Sequence, residues 1–304
     1  EKDSVGRYDR AKKICITGSN GKTTTTSLIY YMLRNAGLNV GLGGNIGKSY
    51  AYQVATEDFD IYVLELSSFQ LDGMYDFKAD IAIILNITPD HLDRYDHKMQ
   101  NYVRAKFRIT RNMSEKDCFI FCDDDSVTVG HINEIVLRAK MLPFSEKHEV
   151  AEGAFADDKK ITVRYEGEEW SVPTEELSLK GKHNIYNSMA AAITGKIMNI
   201  TNDIIRRSLA TFENIEHRLE KVMSVRGVLY INDSKATNVN STWYALECMN
   251  RPVIWIAGGT DKGNDYSEIE PLVREKVKAL ICMGKDNRKL HDFFGHIVST
   301  ITAA

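Results

Sequence analysis

Hydrophobic residues in the first two thirds of the chain occur as short continuous runs with helix-like segments between them. The runs lie at residues 12–17, 59–66, 79–87 and 117–122. Continuous apolar runs of this length are typical of strands that are covered on both faces. The intervening segments, notably 98–113, have helical character. This alternation predicts an α/β fold built on a P-loop-type, doubly wound, mainly parallel sheet.

The pattern changes after residue 160. Residues 161–172 contain two short alternating stretches around "EGEE", which predicts a β-hairpin. The alanine-rich segment 183–198 then predicts a helix.

A second α/β pattern begins near residue 215. Strand-like runs lie at 227–233, 251–259 and 278–284, with helical segments between them and "STITAA" at the end. We expect these strands to form one small, incomplete Rossmann-like sheet. The sequence therefore predicts two domains, at residues 1–214 and 215–304.

Composition narrows the possible functions. The 304 residues include 39 basic and 42 acidic side chains, a formal net charge of −3, which gives no electrostatic case for nucleic acid or an anionic membrane. No run approaches the roughly 18 apolar residues of a membrane helix, and the charged start lacks a signal-peptide core. The five cysteines include no Cys-x-x-Cys, and a metal pair at Cys118 and Cys122 is disfavoured. These features predict a cytoplasmic protein.

The segment "TGSNGKTT" (17–24) lies where a phosphate-binding loop is expected, after a strand and before a helix. Glycines allow successive N–H groups to face phosphate oxygens, and the helix N-terminus adds its dipole. Lys22 can reach the β and γ phosphates, and Thr23 can offer its hydroxyl to Mg²⁺. The loop is shorter than the general pattern, but an ordinary strand–helix turn is disfavoured. The candidate nucleotide-binding residues are Gly18, Ser19, Asn20, Gly21, Lys22, Thr23 and Thr24.

Further candidates follow the next predicted strands. Glu65 lies near the end of a buried run, where a carboxylate needs a partner or a cation; the alternative is an exposed strand tip. "NITPDHLDRY" (86–95) contains Asp90, His91 and Asp93, which predict either metal or substrate binding or a solvated loop. From its chemistry alone, Lys106 is predicted to be a surface lysine.

Polar residues farther along the chain allow two interpretations each. Asn184 and Asn187 share one face of a helix start and could read an adenine edge or support a loop. Arg218, Asp233 and Lys235 could neutralise a transferring phosphoryl group, or form a polar turn with an N-cap. Lys262 lies in a similar loop.

Six motifs together resemble the Mur ligase superfamily of ATP-dependent amide-forming enzymes, over nearly the whole chain. They are "TGSNGKTT", "LELSSFQL", "NITPDHLDRY", "GKHN", "EHRLE" and "NDSKATN", in that order. The likeness is greatest to members that add D-glutamate to UDP-N-acetylmuramoyl-L-alanine in peptidoglycan synthesis. The resemblance implies that ATP phosphorylates the substrate carboxylate, and that the amine then displaces phosphate from the acyl phosphate.

The resemblance also implies roles for individual residues. Lys22 would hold the phosphates, Thr23 and Glu65 would bind one Mg²⁺, and His91 would bind a second. Lys106 falls at the position of a carbamylated lysine, which reverses the surface interpretation. The other implied contacts are Asn45 and Ser67 with substrate, Asn184 and Asn187 near adenine, Arg218 and Asp233 at the nucleotide, Lys235 at the transferring phosphoryl group, and Thr237 and Lys262 near D-glutamate.

The chain departs from the family pattern at both ends. Family members usually carry a uridine-binding domain before the ATP loop and a longer C-terminal domain, so we expect weak ATP binding and little or no ligation. We separately expect a monomer. Two alternatives stay open: another ligase of the superfamily, either a sister wall ligase or a folylpolyglutamate synthase type, and a nucleotide-binding module that does not ligate.

Overall fold

The computed structural model describes residues 10–90, 92–213, 219–259, 264–284 and 287–303. The chain divides into two compact units, Glu1–Glu213 and Asn214–Ala304. Both units contain parallel strands and helices, which confirms the predicted α/β class. Among the helices in these ranges, none has the length and apolar character that a membrane span requires.

The first unit contains a nine-stranded sheet with the order β2-β3-β1-β4-β5-β6-β7-β8-β9. Its strands are β1 (Lys12–Thr17), β2 (Val40–Gly44), β3 (Ile61–Glu65), β4 (Ile81–Ile84), β5 (Cys118–Cys122), β6 (Lys140–Ser145), β7 (Gly153–Ala156), β8 (Lys160–Tyr165) and β9 (Glu168–Pro173). In this sheet order, every neighbouring pair from β2 to β7 is parallel, whereas the pairs β7–β8 and β8–β9 are antiparallel. The mainly parallel sheet and the β8–β9 hairpin are therefore confirmed.

Helices cover the sheet of the first unit. They are α1 (Lys22–Asn35), α2 (Tyr50–Thr56), α3 (Ser68–Asp72), α4 (Met99–Phe107), α5 (Ser126–Ile132), α6 (Lys182–Ile197) and α7 (Asn202–Thr211), with 3₁₀ turns at Leu92–Tyr95, Arg108–Thr110 and Thr174–Glu176. The helix predicted over 98–113 is thus shorter and ends in a 3₁₀ turn. Helix α1 packs on α6 and α7.

The pattern of apolar runs did not reveal β2, β6 or β7. Strand β2 has the sequence "VGLGG", β6 contains Pro143, and β7 has only four residues. None of the three is a continuous apolar run, and each is defined by pairing with a neighbour in the sheet. Central strands do match the pattern, because Ile14, Cys15 and Ile16 in β1 are fully buried.

The described residues of the second unit form two separate sheets. Strands β10 (Glu220–Val225) and β11 (Val228–Asn232) form an antiparallel pair, and β12 (Val253–Gly258), β13 (Val277–Met283) and β14 (Ser299–Thr302) form a parallel sheet. Its helices are α8 (Val239–Glu247), α9 (Glu270–Lys276) and α10 (Arg288–Phe294).

The prediction that 227–233 joins one sheet with the later strands is wrong for the described residues. The reason lies in the turn between β10 and β11. Arg226 and Gly227 have φ values of 50° and 81°, and positive φ at both central residues is what a tight two-residue hairpin needs. This local turn pairs β11 with β10, a strand that the apolar pattern did not predict.

Candidate functional site

The predicted phosphate-binding loop joins β1 to α1 at the carboxyl edge of the large sheet. Gly21 has φ 81°, in the left-handed region that favours glycine, and a Cβ at this position would overlap Oδ1 of Asn187. The N–H of Thr25 donates to the carbonyl of Gly21 at 2.9 Å, and this bond opens the helix. The loop therefore turns into a helix N-terminus, the arrangement that favours anions.

Two lysine ammonium groups meet at the carbonyl of Gly18. Nζ of Lys22 donates to this oxygen at 2.8 Å and to the carbonyl of Ser19 at 2.9 Å, and Nζ of Lys106 donates to the Gly18 oxygen at 2.8 Å. Lys106 is only 2% exposed, so the prediction of a surface lysine from chemistry alone is wrong. Burial, with the nearby positive charge of Lys22, lowers the pKa of Lys106 well below its ordinary value, although Asp90 opposes the shift.

Helix periodicity explains the burial of Lys106. Tyr102 and Lys106 are four residues apart in α4, so they share a face, and the Lys106 ammonium lies 4.7 Å from the Tyr102 ring centroid. The Tyr102 hydroxyl is in turn 3.1 Å from Oγ of Ser19 in the phosphate-binding loop. This face of α4 therefore packs on the loop.

Glu65 is a buried carboxylate with one uncompensated oxygen. It pairs in register with Ile16 of β1 and is 1% exposed, so the alternative of an exposed strand tip is wrong. Oε1 accepts from Nδ2 of Asn45 at 2.9 Å, whereas Oε2 is buried and has no hydrogen-bond donor among the described residues. Such an oxygen fits a hard cation such as Mg²⁺.

Glu65 does not belong to a cluster of metal-binding side chains among the described residues. In the described parts of the chain, no group of three or more His, Cys, Asp or Glu side chains is placed to hold a metal. Hydroxyl, phosphate and water oxygens would complete the coordination shell of a cation at Glu65, as is usual for Mg²⁺. His91 lies outside the described residues; Asp90 is half-buried and Asp93 is exposed.

The loop after β4 is bonded to the phosphate-binding loop through Asn86, a residue that sequence reasoning missed. The Asn86 carbonyl accepts from the N–H of Ser19 at 2.9 Å, and its side-chain Oδ1 accepts from the N–H of Asn20 at 2.8 Å. Asp125, which was also missed, accepts at Oδ2 from the N–H of Ile87 at 3.0 Å. The only sequence signal for Asn86 was its place at the start of a polar strand-end motif.

Asn184 and Asn187 are buried at the start of α6. Oδ1 of Asn187 accepts from the Thr25 hydroxyl at 3.1 Å, and its Nδ2 donates to Oδ1 of Asn184 at 3.1 Å. Nδ2 of Asn184 donates to the Lys180 carbonyl at 2.7 Å. These bonds favour the loop-support interpretation, while the adenine contact stays a prediction.

The other candidates of the first unit have structural partners. Ser67 caps α3 in a reciprocal bond pair with Gln70, and Asn45 donates its N–H to the Glu65 carbonyl at 2.8 Å. Thr23 and Thr24 are buried in the first turn of α1. The substrate contacts proposed for Asn45 and Ser67 stay predictions.

In the second unit, the loop between β11 and α8 carries several candidates. Oδ1 of Asp233 accepts from the N–H of Leu219 at 3.1 Å, and Lys235 and Thr237 are exposed. Asn238 caps α8 by accepting from the N–H of Ser241 at 2.7 Å, as the alternative of a polar turn with an N-cap predicts. Arg218 and Lys262 lie outside the described residues.

The fold and the site define a P-loop-type α/β protein whose lysine-containing loop lies at the carboxyl edge of a mainly parallel sheet. The family model for the Mur ligase middle domain matches residues 16–195. The model described as Mur ligase, glutamate ligase domain matches residues 217–299. This chain therefore belongs to the Mur ligase family.

Curated relatives resemble the chain over almost all of its length. A protein of Bacteroides fragilis named "UDP-N-acetylmuramoylalanine--D-glutamate ligase" is 56% identical over 297 residues, which cover 98% of this chain and 67% of the relative. A protein of the same name from Cytophaga hutchinsonii is 50% identical over 297 residues, covering 97% and 66%. The chain spans about two thirds of the length of these relatives.

Solved structures share the fold. MurF from Acinetobacter baumannii aligns with a TM-score of 0.75 and 18% identity, covering 98% of this chain and 68% of that one. MurF ligase from Thermotoga maritima in complex with ADP aligns with a TM-score of 0.72 and 18% identity, covering 100% and 73%. At these identities the likeness establishes the fold alone.

Proposed function

We propose that this chain provides the catalytic core of an ATP-dependent ligase that joins D-glutamate to UDP-N-acetylmuramoyl-L-alanine. The names of the relatives at 50% and 56% identity support this substrate pair. The structural observation that supports this chemistry is a group of three charged side chains near the end of β1. There Lys22 and Lys106 share the Gly18 carbonyl, and Glu65, with its uncompensated oxygen, is in register with Ile16, two residues earlier.

Phosphoryl transfer needs positioning and charge neutralisation more than a strong base. The Lys22 ammonium now bonds two loop carbonyls, and a triphosphate would replace these with β- and γ-phosphate oxygens. Glu65 and Thr23 would hold the Mg²⁺, whose charge would neutralise the phosphates. The acyl phosphate that forms would then lose phosphate to the attacking amine, with ADP as the other product.

We also propose that Lys106 is carbamylated in the active enzyme. The reaction forms an N–C bond between the neutral amine and CO₂ and releases one proton to solvent. Carbamylation consumes the neutral amine, and burial beside Lys22 favours that form because it lowers the pKa of Lys106 well below its ordinary value. The anionic product would attract the Lys22 ammonium and could serve a second Mg²⁺ with His91.

The remaining roles are proposals for the second unit. Asp233 would contact the nucleotide together with Arg218, and Lys235 would stabilise the transferring phosphoryl group. Thr237 and Lys262 would lie near D-glutamate. We propose that the enzyme is cytoplasmic and monomeric.

The direct test is phosphate release with ATP, UDP-N-acetylmuramoyl-L-alanine and a panel of amino acids. It is measured both for this chain and for a protein of its relatives' length. We expect release to depend on D-glutamate in the longer protein and to be weaker in this chain, because the relatives contain a further third of sequence. Lys22→Ala should abolish triphosphate binding. Dependence on another amino acid would indicate a sister ligase, and ATP binding without carboxylate-dependent turnover would indicate a binding module.

A further inference from the structure

We propose that Asn86 is a positioning residue of the phosphate-binding loop, and that its carboxamide sets the orientation of two successive peptide groups there. This inference rests on the proposed function, because it concerns the binding of the nucleotide phosphates. Asn86 lies two residues beyond the end of β4, and β4 is the direct neighbour of β1 in the sheet.

Three hydrogen bonds join Asn86 to the loop. Its main-chain carbonyl accepts from the N–H of Ser19 at 2.9 Å. Its side chain makes a reciprocal pair with Asn20: Oδ1 accepts from the Asn20 N–H at 2.8 Å, and Nδ2 donates to the Asn20 carbonyl at 3.2 Å. One carboxamide thus contacts a peptide group on each side of the Asn20 Cα.

Because peptide bonds are planar, the two hydrogen bonds between the Asn86 carboxamide and Asn20 fix the orientation of two peptide groups. The C=O and N–H of a trans peptide point in opposite directions. Because the Asn20 N–H faces Asn86, the Ser19 carbonyl faces away, and it accepts from the Lys22 ammonium at 2.9 Å. Because the Asn20 carbonyl faces Asn86, the Gly21 N–H must also face away from Asn86. The carboxamide therefore holds the loop in the orientation in which the Gly21 N–H points away from Asn86 and the Ser19 carbonyl accepts from the Lys22 ammonium.

Asn86 is itself held in place by its neighbours. Ser19 Oγ donates to the Thr88 carbonyl at 2.8 Å and accepts from the Thr88 N–H at 2.9 Å. On the other side, Asp125 accepts from the Ile87 N–H. A rigidly held carboxamide can hold a loop in one conformation, which lowers the entropic cost when a phosphate binds.

The test measures the dissociation constants of ADP and AMP for the chain with Asn86→Ala, by calorimetry in the presence of Mg²⁺. In the proposed function the loop would contact the β-phosphate, which AMP lacks. Loss of two side-chain hydrogen bonds should weaken ADP binding about tenfold and leave AMP binding within about twofold. The readout is the ratio of the two dissociation constants. A purely structural effect of the substitution would lower the melting temperature but leave this ratio unchanged.

Asn112→Gly is the matched control. Nδ2 of Asn112 donates to the carbonyls of Tyr75 and Phe77 at 2.7 and 3.0 Å, so this variant also loses two bonds from a carboxamide to the main chain. Its φ of 69° suits glycine, so no backbone strain is added. We expect a lower melting temperature and an unchanged ratio of ADP to AMP affinity.

The outcomes separate the inference from the proposed function. If the unmodified chain binds ADP more tightly than AMP and Asn86→Ala retains the full preference, the inference is overturned and the proposed function stands. If the unmodified chain shows no preference for ADP, both are overturned. Should Asn86→Ala fail to fold, Asn86→Gln keeps the uncharged amide but displaces it by one methylene, and we expect the same loss of preference.

Discussion

The two carboxylate oxygens of Glu65 have different surroundings. One accepts from Asn45, and the other is buried with no donor among the described residues. A buried charge without a full set of partners destabilises a fold, often by several kcal/mol. A bound cation would remove that cost, which is the physical reason for placing Mg²⁺ there.

Glu65→Gln tests this assignment. The substitution keeps the size of the side chain and an oxygen that can accept from Asn45, but removes the negative charge. We expect the Mg²⁺ concentration for half-maximal phosphate release to rise about tenfold or more, since one anionic ligand of a hard cation is lost. Asp117→Asn, at a buried carboxylate bonded to Ser114 and Lys78, is the control and should leave the metal dependence unchanged. An unaltered Mg²⁺ requirement in Glu65→Gln would remove Glu65 from the metal site.

Lys106 offers a second prediction at this scale. Lys106→Ala should lower the rate of ligation in a protein of the relatives' length, and a short carboxylic acid should restore part of the rate, because it can occupy the space of a carbamate. ¹³C-bicarbonate NMR should show a carbamate signal in the unsubstituted protein and none in Lys106→Ala. A normal rate without the acid would argue against any role for this lysine.

At the scale of elements, the β1–α1 connection depends on contact between Gly21 and α6. Asn187 of α6 accepts from Thr25 and lies where a Cβ on Gly21 would be. The phosphate-binding loop is therefore packed against a helix that begins more than 150 residues later in the chain.

Gly21→Ala and Gly37→Ala form a matched pair. Both glycines have φ near +80°, but a Cβ at Gly37 meets no atom within 4 Å. We expect Gly37→Ala to lower the free energy of unfolding by about 1–2 kcal/mol, from the left-handed backbone alone. Gly21→Ala should lower it further and weaken ADP binding, because Asn187 must move. Equal effects of the two substitutions on unfolding and on ADP binding would show that the contact with Asn187 is unimportant.

The Asp125 carboxylate connects α5 to the loop after β4. It caps α5 through the N–H and hydroxyl of Thr128, and it accepts from Ile87 in the loop after β4. Asp125→Ala should lower the free energy of unfolding by about 1–3 kcal/mol, because two main-chain donors lose their acceptor. Asp125→Asn retains one acceptor oxygen and should lose less, as measured by urea unfolding. A loss in Asp125→Asn as large as that in Asp125→Ala would contradict this account.

At the scale of the whole molecule, acid should destabilise the first unit through Asp124. Burial alone would raise the pKa of Asp124, but hydrogen bonds from Ser145, the Glu146 N–H and Tyr186 outweigh it and lower the pKa. These bonds connect the end of β5 to β6 and α6. A carboxylate with a depressed pKa stabilises the fold above its unfolded-state pKa of about 3.9, and the contribution is lost as the pH falls through the folded-state value.

Tyr186→Phe should therefore reduce the loss of stability in acid. We expect the free energy of unfolding of the unmodified chain to fall as the pH drops below about 4, and the fall to be smaller in Tyr186→Phe, which lacks one donor to Asp124. Tyr52→Phe, at an exposed tyrosine, is the control. Identical pH profiles for the three proteins, followed by circular dichroism, would contradict this account.

The sequence by itself determined the class of fold and the position of the loop that is predicted to bind phosphate. Apolar runs marked β1, β3, β4 and β5, because strands buried on both faces must be apolar throughout, and glycine with lysine before a helix marked the loop. It also indicated Glu65 and, through the resemblance, Lys106. The domain boundary and the site roles stay predictions.

Only the tertiary structure decided which polar residues meet and which are buried. Lys106 is 84 residues from Lys22 in sequence, yet both bond the Gly18 carbonyl, and Asn86 reaches a loop 66 residues earlier. A two-residue turn pairs β11 with β10. Strands β2, β6 and β7 are formed by hydrogen bonding to their neighbours in the sheet. Hydrophobic periodicity reports how each segment faces the core, but long-range hydrogen bonds and burial arise only when separate segments pack together.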